Sequence, residues 1–289
     1  MTHIAFLGTG LLGSALAEAA VKRGDHVTVW NRTAHKARAL EAFGARVADS
    51  PADAVRDASR VHLVLKDDAV VDEVIASLRP GLAANTIIVD HTTTQPALTA
   101  ERSRRLNDEG VKYLHCPVFI GPAVARESGG TILAAGPRAL FDAIHADLAK
   151  MAARVEYFGE RPDLAAVFKL CGNAFIVGIN AVVADVFAVA AGSRVASADA
   201  LRVVEFFNPT TVVTARGNKM VSGDFTPTFE LVMARKDVRL MLETAGTLPL
   251  AVLPRVAERM DVLMAEGHSQ DDLAVIGKDS VRREATGTR

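Results

Sequence analysis

Only two cysteines, Cys116 and Cys171, occur among 289 residues, far apart and without a CxxC. That excludes a disulfide framework as the source of stability, and reduced thiols in a cytoplasmic protein are the expectation. An excess of charge of one sign is also missing, with 33 Lys and Arg against 34 Asp and Glu for a net charge of -1. The basic footprint of a nucleic-acid binder is absent, as is any charged tail. The first residues carry no basic region, and Gly8 and Gly10 interrupt the first apolar run, so a secretory leader is not expected. Residues 165–191 are strongly apolar, but Lys169, Asn173, Asn180 and Asp185 break every window of ~18 residues. They are expected to form a buried helix of a soluble protein with no membrane partner. The eight histidines are scattered, with no HExxH and no Cys/His cluster, so no metal site is expected.

What is present is globular: 49% hydrophobic and 23% charged residues in 30.7 kDa. That is material for one large domain or two ordinary ones. Residues 3–7 read as a buried strand, 13–23 as a helix stopped at Gly24, and 27–30 as a second strand. Thr33 can cap a helix over 34–43 that Gly44 would stop. Strands at 61–65 and 86–89 and a helix at 97–109 continue the alternation, which predicts βαβ units and a mostly parallel sheet covered on both faces. Beyond residue 160 long helical patterns take over at 164–191, 198–207, 231–246 and 250–266. The expected architecture is a doubly wound α/β Rossmann domain over residues 1–161, then an all-α domain over 162–289. Residues 280–289 are polar and expected to be loose.

Gly8-Thr9-Gly10-Leu11-Leu12-Gly13 is a G-x-G-x-x-G directly after a strand and opening a helix. The first glycine permits the tight turn, the second lets backbone approach a pyrophosphate, and the third lets helix and strand pack. The helix N-terminus supplies N–H groups and a positive dipole end for phosphates. Asn31 stands at the end of the second strand, where an NAD site usually places Asp or Glu for the ribose 2′-hydroxyl. A carboxylate would repel a 2′-phosphate and Asn31 would not. Arg32 follows and can fork onto phosphate oxygens, with Thr33 and Lys36 close by. This favours NADP over NAD as cofactor; the alternative is that residues 31–33 are an ordinary turn and helix cap.

On the long apolar helix, Lys169, Asn173 and Asn180 fall within about 40° of one another at 100° per residue, and Asp185 lies opposite. Two readings fit this stripe. A desolvated lysine has a lowered pKa suited to general acid/base work. A snorkelling lysine with amides bonded to nearby loops would look the same. Cys171, turned about 160° from Lys169, reads as a small buried residue rather than a nucleophile.

With these motifs in order, the chain resembles the β-hydroxyacid dehydrogenase family, which includes 3-hydroxyisobutyrate dehydrogenase, tartronate semialdehyde reductase and the glyoxylate/succinic semialdehyde reductases. It is more distantly similar to 6-phosphogluconate dehydrogenase and the imine reductases. The resemblance rests on the glycine fingerprint, Leu65-Lys66-Asp67 for a Leu-Pro-Asp-like loop, and Asp90-His91-Thr92-Thr93 for an Asp-x-Ser-Thr segment. It rests also on Lys169-Leu170-Cys171-Gly172-Asn173 for the catalytic Lys-x-x-x-Asn and Lys236-Asp237 for a late cofactor-contacting lysine. It implies hydride transfer between NADP(H) and a carbonyl or hydroxy-acid compound, with Lys169 as general acid/base and Asn173 orienting it. It further implies cofactor contacts from residues 8–13, 31–33, Leu65, Lys66, Thr93 and Lys236, and a homodimer or homotetramer. One block departs. Where the family has Asp-Ala-Pro-Val-Ser-Gly-Gly to bind a substrate carboxylate, this chain has His115-Cys116-Pro117-Val118-Phe119-Ile120-Gly121. Phe119 replaces the serine and Ile120, which would crowd the backbone, replaces the first glycine. Either a bulkier, less polar substrate contacts Phe119, Ile120 and Gly121, or Phe119 packs into the core and backbone N–H groups bind the carboxylate. Imine or ketone reduction and non-catalytic NADP binding are the rival functions.

Overall fold

The computed structural model describes residues 2–281 of the chain; of the tail expected to be loose, residues 282–289 lie outside that range. The first strands are β1 (His3–Leu7), β2 (His26–Trp30), β3 (Arg46–Val47), β4 (Arg60–Leu63), β5 (Ile87–Asp90) and β6 (Lys112–His115). They form one parallel sheet in the order β3-β2-β1-β4-β5-β6. The order reverses between β1 and β4, which opens a crevice at their carboxyl ends. The helices between them are α1 (Leu11–Lys22), α2 (Ala34–Arg38), α3 (Pro51–Val55), α4 (Asp68–Leu78) and α5 (Pro96–Asp108). The doubly wound parallel architecture is as the alternation of strands and helices predicts.

Period-2 alternation explains the two apolar layers. Ile4 and Phe6 of β1 enter one layer with Val27, Val29 and Leu16, while Ala5 and Leu7 enter the other with Val61, Leu63, Val74 and Leu78. Both faces are therefore covered, and the strands read as continuous apolar runs. The expected helix over 34–43 is instead broken: α2 ends at Arg38 and a single 3-10 turn covers Glu41–Phe43 before Gly44 at φ +102°. Thr33 sits at the N-cap, but its side chain makes no capping hydrogen bond.

A smaller sheet follows, built from β7 (Val118–Phe119), β8 (Thr131–Ala134) and β9 (Arg154–Tyr157). β7 pairs antiparallel and β9 parallel with β8. Helices α6 (Pro122–Arg126) and α7 (Arg138–Leu148) lie between these strands.

Helix α8 (Leu164–Gly192) runs through the division between two compact units, which falls after Ala174. The second unit holds the rest of α8 with α9 (Ser197–Leu201), α10 (Val203–Phe206), α11 (Pro209–Ser222), α12 (Leu231–Ala245) and α13 (Leu253–Ala265). Its own core joins Leu231, Ala234 and Val238 of α12 to Ala257, Met260 and Leu263 of α13 and to Val275.

The expectation that α8 is buried is corrected here. Its most apolar 18-residue window has a mean hydropathy of 2.2, yet only 6% of it is buried within the chain. Phe175, Ile176, Val177 and Ile179 are all more than half exposed. Apolar residues occur all round this helix, and one chain supplies cover for only part of its circumference. By length and composition α8 could cross a membrane, the only such helix among the described residues. Cys171, expected to be buried, is exposed for the same reason.

Asp185 is the exception on α8. It is 3% exposed, and its carboxylate accepts the N–H groups of Ala251, Val252 and Leu253 at 2.5, 2.9 and 2.8 Å. These donors lie at the start of α13, where N–H groups have no intrahelical acceptor. Burial pushes the Asp185 carboxyl up, but the three donors outweigh it and hold it below the ordinary carboxylate range. Asp185→Ala removes the cap and leaves buried donors unmet. It is expected to destabilise the second unit by about 2 kcal/mol or more, read from urea unfolding; a loss under ~0.5 kcal/mol would contradict this role.

Candidate active site

At the switch point the fingerprint glycines leave no room for side chains. Gly8 has φ +99° and donates its N–H to the Trp30 carbonyl at 2.9 Å; a Cβ on it would lie 2.2 Å from the Val64 carbonyl oxygen. A Cβ on Gly13 would lie 1.9 Å from the Gly8 oxygen. Gly10, at the N-cap of α1, is the opposite case, with nothing within 4 Å of its added Cβ. Two glycines are thus required by packing and the middle one by the space it keeps open. Next to that space the Thr9 hydroxyl is buried with no hydrogen-bond partner. A buried orphan hydroxyl, an open backbone cradle and the N-terminus of a 12-residue helix together suit a dinucleotide pyrophosphate.

Asn31 braces this turn. Its Oδ1 accepts the Thr9 N–H at 3.1 Å and its Nδ2 donates to the Thr33 carbonyl at 3.0 Å. The cleft beside it, about 330 Å³, is lined by Gly8, Gly10, Asn31, Arg32, Thr33, Lys36, Leu65 and Lys66. The structure therefore gathers most of the expected cofactor residues around one opening. Leu11 and Leu12 form the first turn of α1, with Leu11 84% exposed. Trp30 of β2 and Val70, Glu73 and Val74 of α4 also line the cleft; none of them is expected from the sequence as a cofactor residue, and the last three lie on a helix not expected there. Its signal was legible: Asp67 caps it by accepting the Val70 N–H at 3.1 Å, and Val71, Val74, Ile75 and Leu78 repeat at helical spacing.

The loop at Leu65 is fixed to the loop after β5. Leu65 N–H donates to Thr92 Oγ1 at 3.1 Å, and Thr92 N–H donates to Asp90 Oδ1 at 2.9 Å. Asp90, fully buried, also accepts the Tyr113 hydroxyl at 2.7 Å. Thr93, the expected cofactor contact, is exposed between buried Thr92 and Thr94.

Behind this loop runs a buried chain of imidazoles that no motif or spacing foretells. His91 Nδ1 lies 2.7 Å from the Cys116 carbonyl oxygen, and His91 Nε2 lies 2.9 Å from His62 Nδ1. A carbonyl only accepts, so His91 carries its proton on Nδ1 and accepts on Nε2. His62 then donates from Nδ1, and its Nε2 accepts from Arg60 Nε at 3.4 Å. Arg60 pairs in turn with Asp147. His62 also stacks on Phe6, with ring centroids 4.7 Å apart. The third buried imidazole, His115, places Nε2 2.9 Å from the Thr92 carbonyl oxygen.

The segment expected to meet the substrate follows directly from Cys116. Val118 and Phe119 form β7, with Phe119 in register with Thr131 of β8. The side chain of Ile120 turns into the core with Val118, Ala125 and Ile132, so it does not crowd the site as its sequence position suggests. Gly121 is exposed at the N-cap of α6. Phe119 is half-buried, and Lys169 Nζ stands over its ring, 4.2 Å from the centroid. Burial lowers the Lys169 pKa from its ordinary value. Asn173, one turn on, is also half-buried, whereas Asn180 is exposed and donates to the Ile176 carbonyl of its own helix at 2.8 Å. Lys236, in the second unit, pairs with Asp237 at 3.0 Å. No cluster of three metal-ligating side chains occurs among the described residues.

Residues 3–159, more than half the chain, match the family described as the NAD binding domain of 6-phosphogluconate dehydrogenase. The chain belongs to this family of NAD(P)-binding oxidoreductases. It is 28% identical over 250 residues to a cytokine-like nuclear factor N-PAC of Anopheles gambiae, covering 84% of this chain but only 44% of that protein. It is 26% identical to 3-sulfolactaldehyde reductase of Escherichia coli strain K12, covering 96% and 95% of the two chains. In fold it is similar to an imine reductase from Myxococcus stipitatus in complex with NADP+, with a TM-score of 0.87 at 21% identity, over 96% and 99% of the two chains.

Burial lowers the pKa of His62, His91 and His115 below the ordinary 6.5. Above that pH both folded and unfolded chains hold these imidazoles neutral. Below it the unfolded chain takes up protons that the folded chain refuses, so stability falls with pH. Urea midpoints are expected to drop between pH 6.5 and 5.5, with proton uptake on unfolding; a flat profile over that window would contradict the buried neutral assignment.

Proposed function

We propose that this chain is an NADP-dependent reductase or dehydrogenase of the β-hydroxyacid dehydrogenase type, interconverting a carbonyl and a hydroxy compound. The observation that carries this reading is Lys169, half-buried and deprived of water at the motif position of a general acid/base. A lysine with a lowered pKa parts with its proton more readily near neutral pH than an exposed one. In reduction Lys169 Nζ donates a proton to the substrate oxygen, and in oxidation it takes that proton back. Asn173, one helical turn on, orients the lysine or the oxygen. Bound NADP(H) supplies and accepts the hydride. Residues 8–13 hold its pyrophosphate, and Leu65, Lys66 and Thr93 contact the rest of it. Asn31, Arg32, Thr33 and Lys36 favour a 2′-phosphate, since none of them is an acid and two are cations.

A second reading, reduction of a bulkier apolar ketone or imine, is favoured by one observation: Phe119 places a ring where a hydroxyl would bind a carboxylate.

The exposed apolar surface of α8 supports a homodimer or homotetramer in which a second copy covers it. Lys169 makes lipid a poor cover, because a membrane-embedded helix carries a charge only where it is paired within protein. Light scattering is expected to give at least twice the 30.7 kDa chain mass; a monomer at micromolar concentration would overturn this.

Lys169→Ala is expected to lower kcat at least ~100-fold while NADPH affinity changes by less than about threefold. Titration of the wild type should also give tighter binding of NADPH than of NADH. Turnover within about tenfold of wild type in Lys169→Ala would overturn the acid/base role.

A further inference from the structure

Phe119 is held from several sides. Its backbone is fixed on β7 opposite Thr131, and Gly130, at φ +80°, lies so close that a Cβ there would come 2.7 Å from the Phe119 carbonyl oxygen. Its ring packs at an apolar cluster of Leu133, Ala135 and Ala165 that also includes Phe158 and Leu164. Phe158 in turn stacks on Phe168 of α8, with centroids 4.2 Å apart. The far end of the Phe119 ring rests on Gly172. A Cβ on Gly172 would lie 2.2 Å from Cζ, 2.7 Å from Cε1 and 3.0 Å from Cε2, so any larger residue there would push the ring aside. The ring thus lies along one turn of α8, under the Lys169 ammonium at its start and against bare backbone three residues later.

We propose that Phe119 and Gly172 together form a seat that positions Lys169 and selects uncharged carbonyl or imine substrates over carboxylate-bearing ones. This rests on the reading of Lys169 as the proton donor and names the substrate class of that site. The ring face carries negative quadrupole charge and attracts the ammonium, fixing the end of a flexible four-carbon stem. It offers no donor to a carboxylate. A carboxylate that approached would meet the negative ring face and draw Lys169 into pairing with it, taking the proton donor away from the reacting oxygen. A substrate with apolar substituents meets no such conflict. Phe119 is accordingly a positioning and specificity-determining residue, and Gly172 is what makes its place possible.

The test uses the full chain labelled with [13Cε]lysine, the Lys169 signal being assigned by its absence in Lys169→Ala. Phe119→Leu keeps the site apolar but removes the π face, so the Lys169 titration midpoint is expected to fall by about half a pH unit or more. Gly172→Ala should displace the ring and lower the midpoint likewise, and the double variant should show less than the sum of the two single shifts. For selectivity, Phe119→Ser is compared with wild type on 4-oxobutanoate and its methyl ester. The ratio of kcat/KM for acid over ester should rise about tenfold or more in the variant. A Lys169 midpoint unmoved in both Phe119→Leu and Gly172→Ala overturns the seat. An acid-to-ester ratio moving less than about twofold overturns the selection. NADPH binding confirms that each variant is folded. The titration reads the seat without turnover, so its failure is distinct from failure of the lysine acid/base role, which only Lys169→Ala decides.

Discussion

At the carboxyl end of β1 three stretches of backbone meet where no side chain fits. Gly8 lies against the Val64 carbonyl and Gly13 against the Gly8 carbonyl, with separations that a single methyl group would abolish. This close approach sets the start of α1, the place where strand order reverses, and the position of the open cradle at Gly10. Asn31, Leu65 and Thr92 then tie the neighbouring strand ends to the same point through side-chain hydrogen bonds. The cofactor cleft is a consequence of packing that would be needed even without a ligand.

Polar groups inside the first unit serve the same end. Asp90, Tyr113, His62, His91 and His115 are buried, and burying them is costly unless each finds a partner. Their partners are carbonyls and loops at the edge of the site: Thr92 next to the cleft and Cys116 just before β7. The interior polar groups therefore fix loops that apolar packing alone would leave adjustable. Phe119 adds an apolar tie to the start of α8, where its ring, wedged against Gly172, sits beneath Lys169.

Much of this was legible in the sequence because the relevant signals are local. The fingerprint, the strands on either side of it and Asn31-Arg32 depend on spacing within one or two elements, whereas the spacing of Lys169 and Asn173 fits acid/base work and snorkelling alike. What was not legible depends on distant partners. Asp185 reads as one polar residue on the far side of a helix, and its role appears only when the start of α13, more than sixty residues later, is brought to it. Ile120 looks intrusive until the antiparallel pairing of β7 with β8 turns it inward. His62 occupies an alternating strand position that would suit valine, and its purpose appears only when His91, just after β5, and the Cys116 carbonyl are brought beside it. The burial of α8 was misjudged because an apolar sequence reports a demand for cover, not what supplies it.

The imidazole chain also has a direction. Each donor hands on to the next acceptor from Arg60 through His62 and His91 to the Cys116 oxygen. A Grotthuss relay needs both ends open to proton exchange and links that can turn over after each hop. Here one end is a peptide carbonyl, a very weak base, and the other a guanidinium, which has N–H donors and no acceptor. The chain is shut to proton traffic at both termini, so it holds strands and loops in register and carries no proton across the sheet.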